Sequence, residues 1–391
     1  MGARFVSQTD DHTVGCEELA PRQKGQNKVS RRDVKEQHGT QEQRKLSDLG
    51  SAGEKMPAWT GKTSAAVLTF NRRKMLLLCL EAIFAQVKPA DEVIVLDNGS
   101  TDGTSEYLEG SGFLKQGGIA LYRHPKNTGP AAGMDTLFRL ARKRRSDWVW
   151  YLEDDTLADL DALENLKSAY TENFSHPEEV GFLKSLVVSA DGAPHGVPEI
   201  DLRAAAGQAS WAARLGSGLV KVRRATFVSI LVPRSTLIHL GNIYPDFVSY
   251  GEDTDFTFQS TELLPTYLVG RSKVTHLGPE VGRVKSLLKR DPIVMDMAKY
   301  YYRNNLYFRW YYYLFGRTVL YVCKCLYEAL GALGAESELL RRMEAIMRSF
   351  LSGLIVLMRR KAGPLHLSAD QHPPTLKLQR KPVSNRHGRA G

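Results

Sequence analysis

Trp148-Val149-Trp150-Tyr151-Leu152 is an unbroken apolar, aromatic run that stops at three consecutive carboxylates, Glu153, Asp154 and Asp155. A run with no polar alternation suits a strand buried on both faces, as in a parallel sheet. Such a strand has to be flanked by other strands and covered by helices, so an α/β sheet is the first expectation. In open sheets of this kind ligands gather at the carboxyl ends of the strands. Adjacent acids there repel one another unless a cation offsets their charge. Oxygen-only ligands suit Mg²⁺ or Mn²⁺, and Mg²⁺ typically takes one or two carboxylates together with substrate phosphates. The triplet therefore points to a phosphate-bearing substrate. Acids opening a helix are the competing explanation, since Asp159 and Asp161 follow closely.

Upstream of the triplet the pattern is strand, helix, strand. Ala65 to Phe70 is β-prone and stops at Asn71-Arg72-Arg73. Leu76, Leu77, Leu80, Ile83, Phe84 and Val87 then recur with helical spacing until Pro89. Glu92 to Leu96 reads as a second strand closing on Asp97-Asn98-Gly99-Ser100, and this order implies a right-handed parallel unit. A third strand, Ile119 to Tyr122, precedes Asn127-Thr128-Gly129-Pro130, where Gly permits close backbone approach and Pro suits the first helical position. A turn feeding a helix start can hold a phosphate or a sugar hydroxyl, although a plain strand-to-helix turn looks the same.

Downstream, Val180 to Ser189 and Ala225 to Pro233 read as strands, and Ser235 to Leu240 as a short helix. The loop-rich stretch 190–225 between the two strands is the kind that binds a variable substrate, with Trp211 and Arg214 as contacts unless Trp211 is simply packed. A second acidic cluster, Glu252-Asp253-Thr254-Asp255, opens a helix with more acids than capping needs. One carboxylate there could take a proton from an attacking hydroxyl. His276, after a short strand, becomes a credible third metal ligand in the company of two acidic sites.

Composition matters at the ends of the chain. Residues 1–59 are polar and charged with few aliphatics, too little apolar area to offset the entropy of ordering, and read as a disordered tail. Residues 60–290 form the sheet domain, 291–361 an aromatic and basic helical region, and 362–391 a loose basic tail. The net charge of +10 on 391 residues indicates an anionic partner. No signal-peptide core and no run of about 18 uncharged apolar residues is seen, so the expectation is a cytoplasmic protein, peripheral on the inner face of a membrane. Tyr300 to Phe315, interleaved with Arg303 and Arg309, suits either a membrane interface or packing on the sheet domain. Cys16, Cys79, Cys323 and Cys325 have neither metal-site spacing nor a disulfide framework, which fits a reducing compartment.

Taken in order, Ala66 to Arg72, Val95 to Thr104, Asn127 to Gly133, Glu153-Asp154-Asp155 and Glu252 to Asp255 resemble family-two glycosyltransferases of the GT-A fold. Ala225 to Arg234, followed by Asp253-Thr254-Asp255 and Val274-Thr275-His276, is most similar to the actinobacterial galactofuranosyltransferases and related rhamnosyltransferases. The resemblance implies a Rossmann-like, mostly parallel sheet flanked by helices. It also implies inverting, Mg²⁺- or Mn²⁺-dependent transfer of a sugar from a nucleotide-diphosphate donor, UDP-galactofuranose first and dTDP-rhamnose second, to a lipid-linked or polymeric glycan acceptor. Thr69, Asn71 and Arg72 would border the nucleotide, Asp97 with Asn98 would meet the base, and Gly129 would lie by the ribose. Glu153 and Asp154 would serve the donor, with Glu153 standing where the family pattern begins with Asp. Asp155 and His276 would hold the metal, Asp253 would be the general base, and Trp211, Glu252 and Asp255 would face the acceptor.

A glycoside hydrolase also needs two carboxylates but no metal. A nucleotidyltransferase would release pyrophosphate instead of a nucleoside diphosphate. A non-catalytic scaffold would bind membrane or nucleic acid in a salt-sensitive way, although no recognised nucleic-acid module is present.

Overall fold

The computed structural model describes residues 59, 61–112, 118–203, 210–278, 292–313 and 315–331, together with 348, 352 and 376–377. All of them lie in the unit that begins at Met56. The expected tail over 1–59 falls outside these residues except for Trp59. That residue packs against Trp148 and Tyr170, with ring centroids 5.0 and 5.6 Å apart.

The elements run β1 (Thr63–Thr69), α1 (Arg73–Phe84), β2 (Glu92–Asp97), α2 (Thr104–Gly110), β3 (Ile119–Arg123), α3 (Pro130–Lys143) and β4 (Trp148–Glu153). They continue with β5 (Thr156–Ala158), α4 (Ala162–Asn173), β6 (Leu183–Ser189), β7 (Glu199–Ile200), β8 (Leu219–Arg224), β9 (Ser229–Pro233) and α5 (Arg234–Leu240). Last come α6 (Glu252–Leu263), β10 (Thr266–His276), α7 (Pro292–Tyr312), α8 (Phe315–Gly331) and the two-residue β11 (Leu376–Lys377). The strands form one sheet in the order β11-β3-β2-β1-β4-β9-β6-β10-β8-β7, with β5 on β10.

The sheet is parallel through its main strands, as expected, with antiparallel strands added, so that it is mixed as a whole. β3, β2, β1 and β4 run parallel, as does the pair β6 and β10. β9 enters antiparallel between β4 and β6, and β8, β7, β5 and β11 also pair antiparallel. The reason is topological: between β6 and β9 the chain runs through loops, β7 and β8 with no crossover helix, and such a return permits reversal. β9 is also shorter than the strand expected from Ala225, because residues 225–228 form a turn that delivers the chain into it.

Alternate residues of the central strands feed two cores. Ala65, Val67, Trp148, Trp150 and Leu152 pack with α1 and α4 on one face, through Leu76, Leu80, Leu163 and Leu166. Ala66, Val149 and Tyr151 pack on the other, against Met134, Leu137 and Phe138 of α3 and Phe256 of α6. Helices on both faces of a mixed sheet, with the parallel strands ending together, give the GT-A-like arrangement. In register, Leu68 lies beside Glu153 and Thr69 beside Asp97, so the polar ends of β1, β2 and β4 open on one edge.

Among the described residues no helix is long and apolar enough to cross a membrane.

Candidate active site

After Asp155 the chain turns back as β5, and Thr156 pairs with His276 at the end of β10. This reversal brings the imidazole to the triplet. His276 Nε2 lies 3.2 Å from Asp155 Oδ1 and 3.5 Å from Glu153 Oε2. One ligand atom from each of Glu153, Asp155 and His276 lies within 4.8 Å of the others. His276 Nδ1 is buried without a hydrogen-bond partner among the described residues, and the buried Nε2 and Asp155 Oδ1 face one another with acids and no further donor beside them. Buried polar atoms left unpaired are costly, and an imidazole with two carboxylates is a donor set that a divalent cation would satisfy. The residues present therefore fit a bound Mg²⁺ or Mn²⁺, and Glu153 joins the expected pair Asp155 and His276. Gly278 packs against this cluster so closely that a Cβ there would stand 2.5 Å from Asp155 Oδ2.

Charge follows the geometry. Burial disfavours the charged His276 ring, but Asp155 and Glu153 beside it more than offset this and raise it to about 9. Burial works against the Asp155 carboxylate too, yet His276 and Arg72 hold it below its ordinary value. Asp154 is pushed up to about 6 by burial, with Arg72 and Thr69 opposing the rise. Arg72 Nη1 bridges Asp154 at 3.1 Å and Asp155 at 2.6 Å, and Thr69 Oγ1 donates to Asp154 at 2.7 Å.

The expected nucleotide residues form the connected loops beside this cluster. Asn71 takes a left-handed φ of 53°, donates its backbone N–H to Ser100 Oγ and accepts from Thr101 N. Asp97 is fully buried, and its two oxygens accept from Ser100 N and Ser105 Oγ, which commits its carboxylate to the turn. Asn98 donates to Asn127 Oδ1 and Gly129 O and accepts from Thr128, tying the β2 turn to the one before α3. Gly129 has φ +83°, a conformation that glycine adopts without strain, and a Cβ there would meet Val248 O at 3.2 Å.

The second acidic cluster opens α6. Burial raises Glu252 to about 8, with Asp253 adding to the rise. Burial also raises Asp253, with Arg224 opposing and Glu153 reinforcing. Glu153 is thus close enough to act on both clusters, and the two share one locale. Asp255 is a correction. It lies on another side of the helix, buried, accepting from Tyr312 OH at 2.7 Å and from Gln259, so its carboxylate anchors α7 rather than facing an acceptor. Trp211 sits in a 3₁₀ turn packed on β8, whose pairing covers Thr266 to Val269 of β10, away from the His276 end. Arg214 donates to Asn173 O and stacks on Phe174, a structural use that replaces the expected substrate contact.

Sequence reasoning missed four neighbours of the site. Lys184 is fully buried in β6 and feels Glu153 and Asp253. Arg224 ends β8 near Asp253. His195 stacks on His276 with centroids 4.8 Å apart, and Gly278 closes the metal cluster. No local pattern marks any of them, because each reaches the site through strand pairing or a loop return. Only His195 carried a usable signal, as a residue type that binds metals and phosphates within a loop already expected at the substrate.

Two relatives, both described as uncharacterised glycosyltransferases, match part of the chain. The one from Rickettsia felis is 28% identical over 136 residues, 34% of this chain and 22% of its own length. The one from Rickettsia bellii is 29% identical over 134 residues, 32% of this chain and 19% of its own. The chain thus spans about a fifth of the length of the curated relatives it matches. Among solved structures, the mannosyltransferase PcManGT from Pyrobaculum calidifontis, in complex with GDP-Man and Mn²⁺, aligns with a TM-score of 0.45 and 15% identity over 84% of this chain and 85% of that one. GalNAc-T7 with UDP, GalNAc and Mn²⁺ aligns with a TM-score of 0.45 and 13% identity over 64% and 50%. Residues 64–175, which build β1 through α4 and carry the acidic triplet, match the family model described as Glycosyl transferase family 2.

Proposed function

We propose that this chain is a metal-dependent, inverting glycosyltransferase that moves a sugar, galactofuranose by preference, from a nucleotide-diphosphate donor to a hydroxyl of a cell-envelope glycan or lipid-linked acceptor. One observation carries the reading. Glu153, Asp155 and His276 bring ligand atoms within 4.8 Å of one another at the carboxyl edge of the sheet, and Glu153 also acts on Asp253 from the second cluster. A cation site and a carboxylate of raised proton affinity on one edge are what transfer from a sugar diphosphate requires.

A bound Mg²⁺ or Mn²⁺ would act as a Lewis acid on the leaving diphosphate. Arg72, with 47% of its side chain exposed, can turn from the acids toward a phosphate. Asp253 accepts the proton of the acceptor hydroxyl as the new bond forms, and its upward shift brings it nearer the neutral pH at which a base works best. A single in-line displacement inverts the anomeric carbon. The preference for galactofuranose over rhamnose rests on the motif set from Ala225 to His276. Exposed Trp310, Leu320 and Tyr327, interspersed with exposed Arg317 and Lys324, support peripheral contact with the inner membrane face and a lipid-linked acceptor.

A thermal-shift panel of UDP, dTDP and GDP sugars with and without Mn²⁺ tests the proposal. Stabilisation by a UDP sugar that needs Mn²⁺ and disappears in EDTA is expected, and a dTDP-rhamnose response would reassign the sugar. No metal-dependent stabilisation by any nucleotide sugar would sink the reading. Asp253→Asn should abolish transfer while leaving donor binding within about threefold, and retained turnover would refute the base assignment.

A further inference from the structure

Lys184 has no exposed surface, although an apolar residue would fill an interior strand position at lower cost. Its Nζ donates to Thr226 O at 3.3 Å and to Thr226 Oγ1 at 3.2 Å, and neither partner is a carboxylate. The charges that act on it are Glu153 at the end of β4 and Asp253 at the start of α6. Burial lowers its ammonium to about 8 against the pull of these two acids, so at neutral pH it keeps its proton.

The turn that Lys184 grips stands between the two acidic clusters. On one side Thr257 Oγ1 bonds both Ala225 N and Ala225 O at 3.2 Å and also reaches Asp253 O at 2.7 Å, within the first turn of α6. On the other side Thr156, the residue after Asp155, donates to Val228 O at 3.2 Å. Residues 225–228 therefore bridge the helix that bears the base and the strand end that bears the metal ligands.

We propose that Lys184 is a positioning residue: its buried ammonium holds the turn at 225–228 and so sets the spacing and charge balance between Asp253 and the acids at the end of β4. Four other charged groups share this locale. Arg72 is bound to Asp154 and Asp155, His276 lies beside Asp155, Arg224 acts on Asp253 from β8, and Glu252 neighbours Asp253 on α6. Lys184, fully buried in β6, is acted on by an acid of each cluster, Glu153 and Asp253.

The inference rests on the glycosyltransferase reading above. It is tested on the full chain with Lys184→Met, which keeps length and loses charge, and with Thr226→Val, which removes one of the two acceptors. Binding of Mn²⁺ alone and of UDP with Mn²⁺ is measured by calorimetry, and turnover of the UDP sugar accepted by the wild type is followed as UDP release. Lys184→Met should lower kcat by about thirtyfold or more while donor KM and UDP–Mn²⁺ affinity stay within about threefold, because misplacing a base costs rate rather than binding. Thr226→Val should show the same split at about three- to tenfold. A folded Lys184→Met enzyme with kcat within threefold of wild type would overturn the proposal, as would a matching loss of binding and rate, the mark of a merely structural lysine. Should Lys184→Met not fold, an unchanged kcat in Thr226→Val overturns it. Wild-type protein that neither binds UDP with Mn²⁺ nor turns over any nucleotide sugar would remove the underlying reading and the inference together, an outcome distinct from a change confined to the variants.

Discussion

Gly278 shows how little room the metal cluster leaves. A Cβ at that position would stand 2.5 Å from Asp155 Oδ2 and 2.7 Å from His276 Cε1, closer than real Cβ contacts come. Gly278→Ala should therefore displace both ligands and weaken Mn²⁺ binding by about tenfold or more, in line with losses seen when ligand orientation is disturbed. Calorimetric titration with Mn²⁺, beside a thermal melt showing the fold intact, checks it; unchanged affinity would mean that the ligands move freely. Glu252 supplies the pH dependence. Its folded value of about 8 lies above the ordinary carboxylate value, so between the two the folded protein holds a proton that the unfolded chain has released. Stability should then fall as pH rises through that window, and Glu252→Gln should flatten the melting temperature measured from pH 5 to 9. At this scale the sequence was informative where chemistry and position coincide: Asp155 and His276 each end a strand. It was silent about Lys184, which sits in the strand-like run Leu183-Lys184-Ser185-Leu186-Val187-Val188 with nothing local to reveal its partner Thr226. It also misled at Asp255, where counting acids cannot say which one a tyrosine 57 positions away will claim.

At the scale of elements, the floor of the site is held by a thread of hydroxyls through four adjacent strands. Trp150 Nε1 donates to Ser229 Oγ at 2.9 Å, Ser229 meets Ser185 at 2.7 Å, Ser185 meets Ser272 at 2.7 Å, and Ser272 donates to Ala162 O at 2.8 Å. The thread runs from β4 through β9 and β6 to β10, the strands that deliver Glu153, Lys184 and His276. Every member is buried, so breaking one link strands its neighbours. Ser229→Ala would leave the Trp150 N–H unpaired in the core, at a cost of about 1–3 kcal/mol. Chemical denaturation would show this as a lower midpoint at unchanged slope. The strands β1 to β4, β6 and β9 were legible from apolar runs, and α1 and α3 from their spacing. Direction was not, because an antiparallel β9 buried on both sides carries the same Ile230-Leu231-Val232 composition as a parallel strand. Short α2 and β8 were passed over because seven and six residues hold too little periodicity to register.

Across the whole molecule, the boundary expected between the sheet domain and the helical region from 291 does not separate two independent parts. Asn304 Nδ2 donates to Phe247 O at 3.1 Å, Ser249 O at 2.8 Å and Tyr250 O at 3.3 Å, and Arg303 Nη2 reaches Asp246 O and Phe247 O. The loop they hold contains Val248 and Tyr250 with φ of 61° and 60°, a left-handed conformation unfavourable for side chains of these types, above all for the β-branched Val248. That loop joins the two halves of the proposed site. Val248 O accepts from Ala131 N at 3.2 Å, beside the turn before α3, and Gly251 leads directly into Glu252 and Asp253. Tyr312 and Tyr313 extend the fastening, to Asp255 at 2.7 Å and Glu199 at 2.6 Å. α7 is therefore a clamp that keeps a strained loop in place, and the loop sets where the base stands relative to the donor turn. Asn304→Ala frees three carbonyls at once, which should cost about 1–3 kcal/mol of stability and lower kcat by about tenfold or more. Binding of UDP with Mn²⁺ should change far less, because none of the Asn304 contacts involves the metal ligands. Steady-state kinetics beside calorimetry would separate these effects. Unaltered kcat would show that the loop keeps its shape without α7, and the aromatic region would then have to be explained by what it touches outside this chain.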